Sequence, residues 1–294
     1  DKRRSYCITA RPAHCDRRIA IRETVDWEVF SAPEMLLEPD YMDPEVSDLY
    51  GMPVFPYADG YIGFLEVFSP TPYAEHRGEK VSGMATHKFL DGNVQCQLAY
   101  SYDGHSFQRF MRKPLIELED ESNIECSCVY PTCLVEKEDS LLLYASVSFQ
   151  EHGRIPAGKG AIVAYSLRKD GLAYLRANRG YSRLLTKGLL LANGKISFNV
   201  CSTGGDFRVQ ICTPQGDPIK GFTFKECECF AGDSLKWEPT YESGRCINEL
   251  VGQVIVLEIE FSHARLYAIR GEFTSLTPYQ VGFYLHYGHM PPMG

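Results

Sequence analysis

The sequence lacks several features that would assign it to a common functional class. It carries 38 acidic against 30 basic residues and a formal net charge of -8, so it has no basic excess to neutralise nucleic-acid phosphates. No apolar run approaches the ~18 residues of a membrane-spanning helix. The opening Asp1-Lys2-Arg3-Arg4 leads into mixed sequence, without the apolar stretch of a signal peptide. We therefore expect neither nucleic acid nor a membrane among its partners.

Cysteine is plentiful, but its spacing matches no common disulfide or metal framework. The count is eleven, and an odd number argues against complete pairing. The pairs Cys126-x-Cys128 and Cys227-x-Cys229 leave one residue between cysteines, whereas zinc sites normally leave two to four. Three others lie in strand patterns, where a thiol behaves as a small buried apolar group: Cys96, Cys201 and Cys212. The sequence predicts no metal and no cofactor, and a reducing cytoplasm as its location.

Long helical periodicity is nearly absent, and alternation at every second residue dominates. Residues 52–57 form one predicted strand, residues 58–60 a turn and residues 61–68 the return strand. A second hairpin joins a strand over 94–101 to residues 107–110. Its turn, Ser101-x-Asp103-Gly104-x-x-Phe107, is typical of propeller blades, because Asp caps its own backbone, Gly adopts positive φ and the aromatic packs between blades.

The spacing of these strands predicts two all-β domains. Strands over 129–135, 140–147 and 161–167 form one further sheet, and the period of ~40–50 residues fits about three propeller units before residue 170. From Gly180 on, short strands with Gly and Pro turns at even spacing indicate a sandwich. We assign residues 1–175 to a partial propeller, 176–275 to a jelly-roll-like β-sandwich and 276–294 to an aromatic, Pro-rich tail.

The sandwich strands are expected over 186–191, 207–211, 233–237, 254–259 and 266–269. Ile196, Phe198 and Val200 alternate inward on one more strand, which follows a turn at residues 192–195.

Two segments resemble the invertase and arabinanase superfamily of glycosidases. Residues 48–63, beginning Asp48-Leu49-Tyr50-Gly51-Met52-Pro53, are similar to its blade-opening strand, and Leu98-Ala99-Tyr100-Ser101-x-Asp103-Gly104 is similar to its hairpins. The later domain is similar to a module that follows such propellers. The resemblance implies an all-β fold in which a five-bladed propeller is followed by a β-sandwich. In this chain the propeller is expected to lack its N-terminal blades. It also implies a funnel lined by three carboxylates, in which an acid and a base face the anomeric carbon.

The resemblance implies roles for individual carboxylates. Ile124-Glu125-Cys126 is similar to the Glu-Cys motif of the general acid, with Ser127 where the family has Pro. Alternatively, Glu125 ends a solvated acidic loop. The transition-state stabiliser corresponds to Asp48 or to Asp43, and either could instead cap a turn. No nucleophile motif is found near residue 1, so either upstream sequence is absent or the site has lost this residue.

Four further residues are candidates for substrate binding. His152 and Arg154 follow a strand and could reach a sugar hydroxyl or clamp an anionic group. Tyr50 and Trp27 could stack on a sugar face. A surface loop position or packing between blades is the alternative for each.

These features predict a glycoside hydrolase that acts on furanosides or related glycosides. The alternative is a non-catalytic carbohydrate-binding or scaffold protein on the same fold, which the missing nucleophile favours. A third possibility is a homo-oligomer or a complementing chain, because the edge of a partial propeller needs a partner.

Overall fold

A computed structural model describes residues 5–12, 17–44, 47–70, 92–109, 111–118, 125–152 and 159–291. The chain divides into two compact units, Asp1–Leu167 and Arg168–Gly294. The division falls shortly before the predicted boundary at residue 175. Strands dominate both units and α-helix is confined, within the described segments, to residues near the C-terminus. The predicted all-β class is therefore confirmed.

The first unit contains the strands up to the division. They are β1 (Tyr6–Ala10), β2 (Ile19–Thr24), β3 (Glu34–Leu37), β4 (Asp48–Gly51), β5 (Val54–Tyr57), β6 (Gly60–Pro70), β7 (Gly92–Ser101), β8 (Cys128–Glu136), β9 (Ser140–Ser148) and β10 (Gly160–Arg168).

Two sheets are built from these strands. The first has the order β1-β2-β3. The second has the order β10-β9-β8-β7-β6-β4, with β5 added on β6. Within it, β6 and β7 pair antiparallel, as do β8 and β9, but β7 meets β8 in a parallel sense at the single pair Val94–Cys128. The antiparallel strands β6 and β7 are thus followed by the antiparallel strands β8 and β9, and among the described residues the two groups pair only at Val94–Cys128. Successive blades are predicted to follow one another in this way.

Local turn chemistry explains both predicted hairpins. Tyr57 pairs with Gly60 across a two-residue turn, and Ala58 adopts the left-handed conformation at φ 49°. In the second hairpin, the Asp103 carboxylate accepts hydrogen bonds from the backbone N–H groups of His105 and Ser106 at 2.8 and 2.7 Å. Gly104 has φ 78°.

The second unit is a sandwich of two strand layers. Its strands are β11 (Leu175–Ala177), β12 (Ser182–Leu185), β13 (Leu189–Cys201), β14 (Asp206–Cys212), β15 (Asp233–Trp237), β16 (Val254–Ser262) and β17 (Ala264–Ser275). One layer pairs β15, β13, β17 and β11, and the other pairs β12, β16 and β14. Alternate residues of both layers fill one core, whose fully buried members include Phe198, Phe207, Val209, Leu257 and Ile259.

The prediction of a turn at residues 192–195 is wrong. The chain continues in the same direction, and both halves of β13 pair with β17, first at Leu191–Phe273 and then at Ile196–Gly271. The intervening residues form a bulge. Gly194 lies there because a Cβ atom would overlap the backbone of Asn248 in a short 3₁₀ helix, Ile247–Leu250. An Asn-Gly pair therefore marks a close approach of two backbones instead of a reversal.

The C-terminal tail contains a helix that the sequence analysis missed, α1 (Pro278–Tyr287). Thr277 and Gln280 form a reciprocal capping box, Pro278 occupies the first turn, and Gly288 ends the helix at φ 72°. Among the residues that the structure describes, no helix has both the length and the apolar character to cross a membrane.

Candidate functional site

One face of the second sheet in the first unit gathers charged and aromatic side chains. Asp48 on β4 pairs with Phe68 on β6, and Glu66 lies two residues earlier on that strand. Paired residues share a face, and so do residues two apart on a strand, so both carboxyl groups are on the same side of the sheet. We call this side the Asp48 face.

Tyr50 lies on the Asp48 face because it is two residues after Asp48, and a β-bulge brings Gly51 to the same side. Leu49 pairs with Val67 but Gly51 pairs with Glu66, so Tyr50 is the extra residue in β4. Bulges re-aim side chains, and they are frequent next to functional sites.

The Tyr50 hydroxyl and His152 Nε2 are 2.9 Å apart, and their rings meet edge to face with centroids separated by 4.9 Å. The His152 ring also lies 5.4 Å from the ring of Phe68, and the Tyr50 ring lies 5.9 Å from that of Tyr130 on β8. Tyr50, Tyr130 and His152 are half-buried. They form an aromatic surface that water can reach in part.

Two arginines cover this aromatic surface. The Arg11 guanidinium lies 4.9 Å from the Tyr50 ring centroid, and that of Arg17 lies 5.1 Å from Tyr50 and 4.9 Å from Phe68. These are cation–π distances. Arg17 also forms an ion pair with Asp48, with 3.5 Å between Nη1 and Oδ2, and its backbone N–H donates to Asp48 Oδ1 at 3.4 Å. Asp48 therefore has a cationic partner although it is buried.

Glu66 has the opposite environment. Glu66 is 7% exposed to solvent. Burial raises the pKa of Glu66 to about 7, and the charge of Arg11 offsets only part of this effect. A Cβ atom at position 51 would overlap Glu66 Oε2, so the absence of a side chain at Gly51 makes room for the carboxyl group. Glu66 therefore keeps its proton to a higher pH than an ordinary glutamic acid side chain.

The register also limits the distance between these carboxyl-bearing residues. Asp48 and Glu66 are diagonal neighbours across β4 and β6, a relation that places Cβ atoms about 7 Å apart. Carboxyl pairs in glycosidases are separated by about 5 to 9.5 Å. The backbone geometry is compatible with joint action on one bond.

Three of the predicted site residues, Asp48, Tyr50 and His152, come together on the Asp48 face. Trp27 does not join them: it is 56% exposed, follows β2, and packs on Tyr6 at 4.9 Å and on Phe30 at 6.4 Å. Arg154 lies outside the described residues.

Asp43 lies in a buried ion pair. Its Oδ2 and Oδ1 accept hydrogen bonds from Arg109 Nη1 and Nη2 at 2.7 and 2.6 Å, and the side chains are 3% and 2% exposed. Burial alone would raise the pKa of Asp43, but the hydrogen bonds from Arg109 and from the Asp40 backbone, with the nearby charges of Arg109 and Arg112, hold it below its ordinary value. Both carboxylate oxygens are occupied by structural partners.

Glu125 is exposed and lies just before β8. Among the residues that the structure describes, its carboxylate forms no hydrogen bond or ion pair with the Asp48 face. The preceding residues 119–124 are outside the described part of the chain.

The sequence analysis overlooked Arg11, Arg17, Glu66 and Tyr130. For Glu66 a signal was present, because it is the one charged residue in the otherwise apolar strand Gly60–Pro70, and an ionisable group at such a position is often functional. The arginines precede β2 in mixed sequence, and their role depends on long-range packing that no local pattern reports.

We expect the substitution Glu66→Gln to stabilise the protein more at pH 8 than at pH 5. The folded-state pKa of Glu66, about 7, exceeds its ordinary value of 4.5, so its contribution to stability is fully present below pH 4.5 and is lost as the pH rises through 7. Glutamine does not ionise. The stability difference between variant and wild type should therefore grow by about 3 kcal/mol over this window, measured by urea denaturation at several pH values. The exposed Glu125→Gln is the control, and an equal pH trend in both variants would contradict the assignment.

Comparison with known proteins shows similarity to solved structures but no family or curated match. No protein-family model matches the chain, and no curated protein matches it. Among solved structures, it is similar to Bombyx mori GH32 beta-fructofuranosidase BmSUC1, with 9% sequence identity and a TM-score of 0.29. The match covers 91% of this chain and 89% of the other. At this TM-score, the similarity does not bear on function.

Proposed function

We propose that this protein is a glycoside hydrolase that acts on furanosides or related glycosides through carboxyl groups on the Asp48 face. The single observation that supports the proposal best is the Asp48 carboxylate, paired with Arg17 and set beside the half-buried Tyr50–His152 surface. An ionised carboxylate stabilises the positive charge that develops on the sugar ring in the transition state. The Tyr50 hydroxyl and the His152 imidazole beside it are groups that can hydrogen-bond to a sugar.

The chemistry needs a second, protonated carboxyl group to assist departure of the leaving group. The resemblance to the invertase and arabinanase superfamily suggests Glu125 for this role, with Asp48 as the stabiliser. His152 and Tyr50 would then contact sugar hydroxyls. Their mutual hydrogen bond holds the hydroxyl and the imidazole beside Asp48.

The substitution Asp48→Asn tests the proposal. It keeps the size of the side chain and removes its charge, so we expect turnover to fall by about 10²–10³-fold, as when one preorganised electrostatic partner is removed. The probes are sucrose and 4-nitrophenyl α-L-arabinofuranoside, followed by release of reducing sugar and of nitrophenolate. Asp59→Asn, in the exposed turn between β5 and β6, is the matched control and should retain wild-type rates. Wild-type protein without turnover of either probe, or an Asp48→Asn variant as fast as wild type, would refute the hydrolase.

A carbohydrate-binding protein without catalysis is the second candidate. It is favoured by the exposed position of Glu125, whose carboxylate, within the described part of the chain, forms no ion pair or hydrogen bond with the Asp48 face. Calorimetric titration with arabino-oligosaccharides separates the two: heat of binding without release of reducing sugar supports the binding protein.

A further inference from the structure

We propose that Glu66, and not Glu125, is the general acid of the Asp48 face; this inference rests on the proposed hydrolase function. A general acid must share a face with the charge-stabilising carboxylate and must hold a proton at the working pH. Glu66 meets the first condition through the register of β4 and β6, in which Asp48 pairs with Phe68 and Gly51 pairs with Glu66.

The bulge and the glycine in β4 create the space that the acid occupies. Tyr50 is looped out by the bulge, and Gly51 has no side chain to block Glu66 Oε2. In this bulge, a larger residue at position 51 would displace the carboxyl group. The bulge thus sets both Tyr50 and Gly51 opposite Glu66, and Gly51 leaves the gap for the acid.

The groups around Glu66 favour a proton on it. Cys96 on β7 is its strand partner and is fully buried, and burial raises the pKa of this thiol. Tyr130 on β8 faces the same region, and burial raises the pKa of its phenol, followed by the effect of Cys128. The thiols of Cys96 and Cys128 and the phenol of Tyr130 are therefore neutral near pH 7. Asp48 is the carboxylate of the face, and Arg17 is its partner.

Arg11 is the cation that acts on Glu66, and its residue is exposed. It lies over Tyr50. Its charge is too weak to ionise Glu66 in the resting protein, but it stabilises the carboxylate that remains once the proton has left.

In the proposed hydrolysis, water returns to Glu66 the proton that Glu66 gives to the leaving group. Glu66 donates its Oε–H proton to the glycosidic oxygen while the bond from the anomeric carbon to this oxygen breaks, and the bonding electrons remain on the leaving alcohol. The Asp48 carboxylate stabilises the positive charge on the sugar. Water then bonds to the anomeric carbon, and the proton that it loses restores Glu66. The sum is hydrolysis of one glycosidic bond.

The dependence on the leaving group tests this role. Methyl α-L-arabinofuranoside needs protonation of its leaving alcohol, whereas 2,4-dinitrophenyl α-L-arabinofuranoside does not, because dinitrophenolate is already a stable anion. Glu66→Gln should lower turnover of the methyl glycoside by about 10²–10⁴-fold, the usual contribution of general acid catalysis, and should change that of the dinitrophenyl glycoside by less than about tenfold. In wild type the rate should fall above pH 7, as Glu66 ionises, and this decline should be absent in the variant.

A spectroscopic measurement gives a readout without turnover. The infrared band of a protonated carboxylic acid should be present at pH 6, decrease with a midpoint near pH 7 and be missing from Glu66→Gln. Glu138→Gln, at an exposed position between β8 and β9, should retain the band, the pH profile and the leaving-group dependence of wild type.

The outcomes separate the two proposals. If wild type is active and Glu66→Gln hydrolyses the methyl glycoside at the same rate, the role of Glu66 is overturned. The proposed hydrolase function is then unaffected. The same holds if Glu125→Gln shows the leaving-group selectivity instead. Wild type without turnover of any of these furanosides overturns the hydrolase, and with it the role of Glu66 as a catalytic acid.

Discussion

Replacing Arg109 with Met is expected to destabilise the first unit by about 3–5 kcal/mol, because it leaves the Asp43 carboxylate buried without its main partner. The pair is almost inaccessible to water, with side chains 2% and 3% exposed. Arg109 also donates to Gln97 Oε1 at 2.8 Å, so the substitution breaks a connected network. Arg112 remains near Asp43 at 3.4 Å, which places the expected loss toward the lower end of this range.

Hydrogen exchange of the backbone amides in β6 and β7 measures this loss, since the free energy of opening is read from the first unit itself. Arg18→Met is the matched control. Its partner Glu38 is 58% exposed and Arg18 is 32% exposed, and pairs in such positions contribute about 0–1 kcal/mol. Equal effects of the two substitutions would show that the Asp43–Arg109 pair does not hold the fold together.

Replacing Phe207 with Ala is expected to destabilise the second unit by about 3–5 kcal/mol, the usual cost of truncating a buried aromatic side chain. Phe207 is fully buried at the centre of the sandwich core. Its ring meets those of Phe198 and Trp237 at 5.5 Å and that of Phe261 at 6.0 Å. Because these rings come from both layers, the cavity would open between the two sheets.

Urea denaturation followed by the fluorescence of Trp237 reports on this core directly. The exposed Trp27 is replaced by Phe in all samples so that Trp237 is the one remaining tryptophan. Tyr279→Ala is the control, since this side chain is 71% exposed on α1 and its loss should change stability by no more than about 0.5 kcal/mol. A shift of the Phe207→Ala midpoint no larger than that of the control would be inconsistent with a single packed core.

Most strands and the hairpin turns follow from local sequence. The turn at Ser101 to Phe107 has the expected form because the Asp103 carboxylate and the glycine at 104 act within a few residues of each other. The strand predicted over 233–237 coincides with Asp233–Trp237. Helix α1 could also have been predicted, since its cap residues Thr277, Gln280 and Gly288 are all local signals.

The misassigned turn at residues 192–195 shows where local reasoning fails. Ala192-Asn193-Gly194-Lys195 has the composition of a reversal, but both halves of β13 pair with β17, about 75 residues later along the chain. A run of long-range hydrogen bonds outweighs the local preference of one Asn-Gly pair. The second half of β13 nevertheless buries Ile196, Phe198 and Val200, as predicted. Side chains alternate along a strand whether a turn or another strand segment precedes it.

The candidate site was accessible from sequence only in part. Asp48, Tyr50 and His152 were selected by motif and position, and the structure brings them together. Glu125 was selected by the same reasoning and lies exposed. Glu66 was missed although its position in a largely apolar strand indicated burial, whereas the gap at Gly51 depends on the register of two strands and is not encoded by its immediate neighbours.

The sequence by itself determined the all-β character of the chain, most of the strands and the chemistry of the hairpin turns. These depend on alternation and on backbone hydrogen bonds between residues close in the chain, where side-chain preferences act directly. Only the tertiary structure decided which charges meet: Arg17 with Asp48, Arg109 with Asp43, and Glu66 with no comparably close cationic partner among the described residues. The protonation of a buried carboxyl depends on what lies within a few ångströms in space, and those neighbours come from distant parts of the sequence.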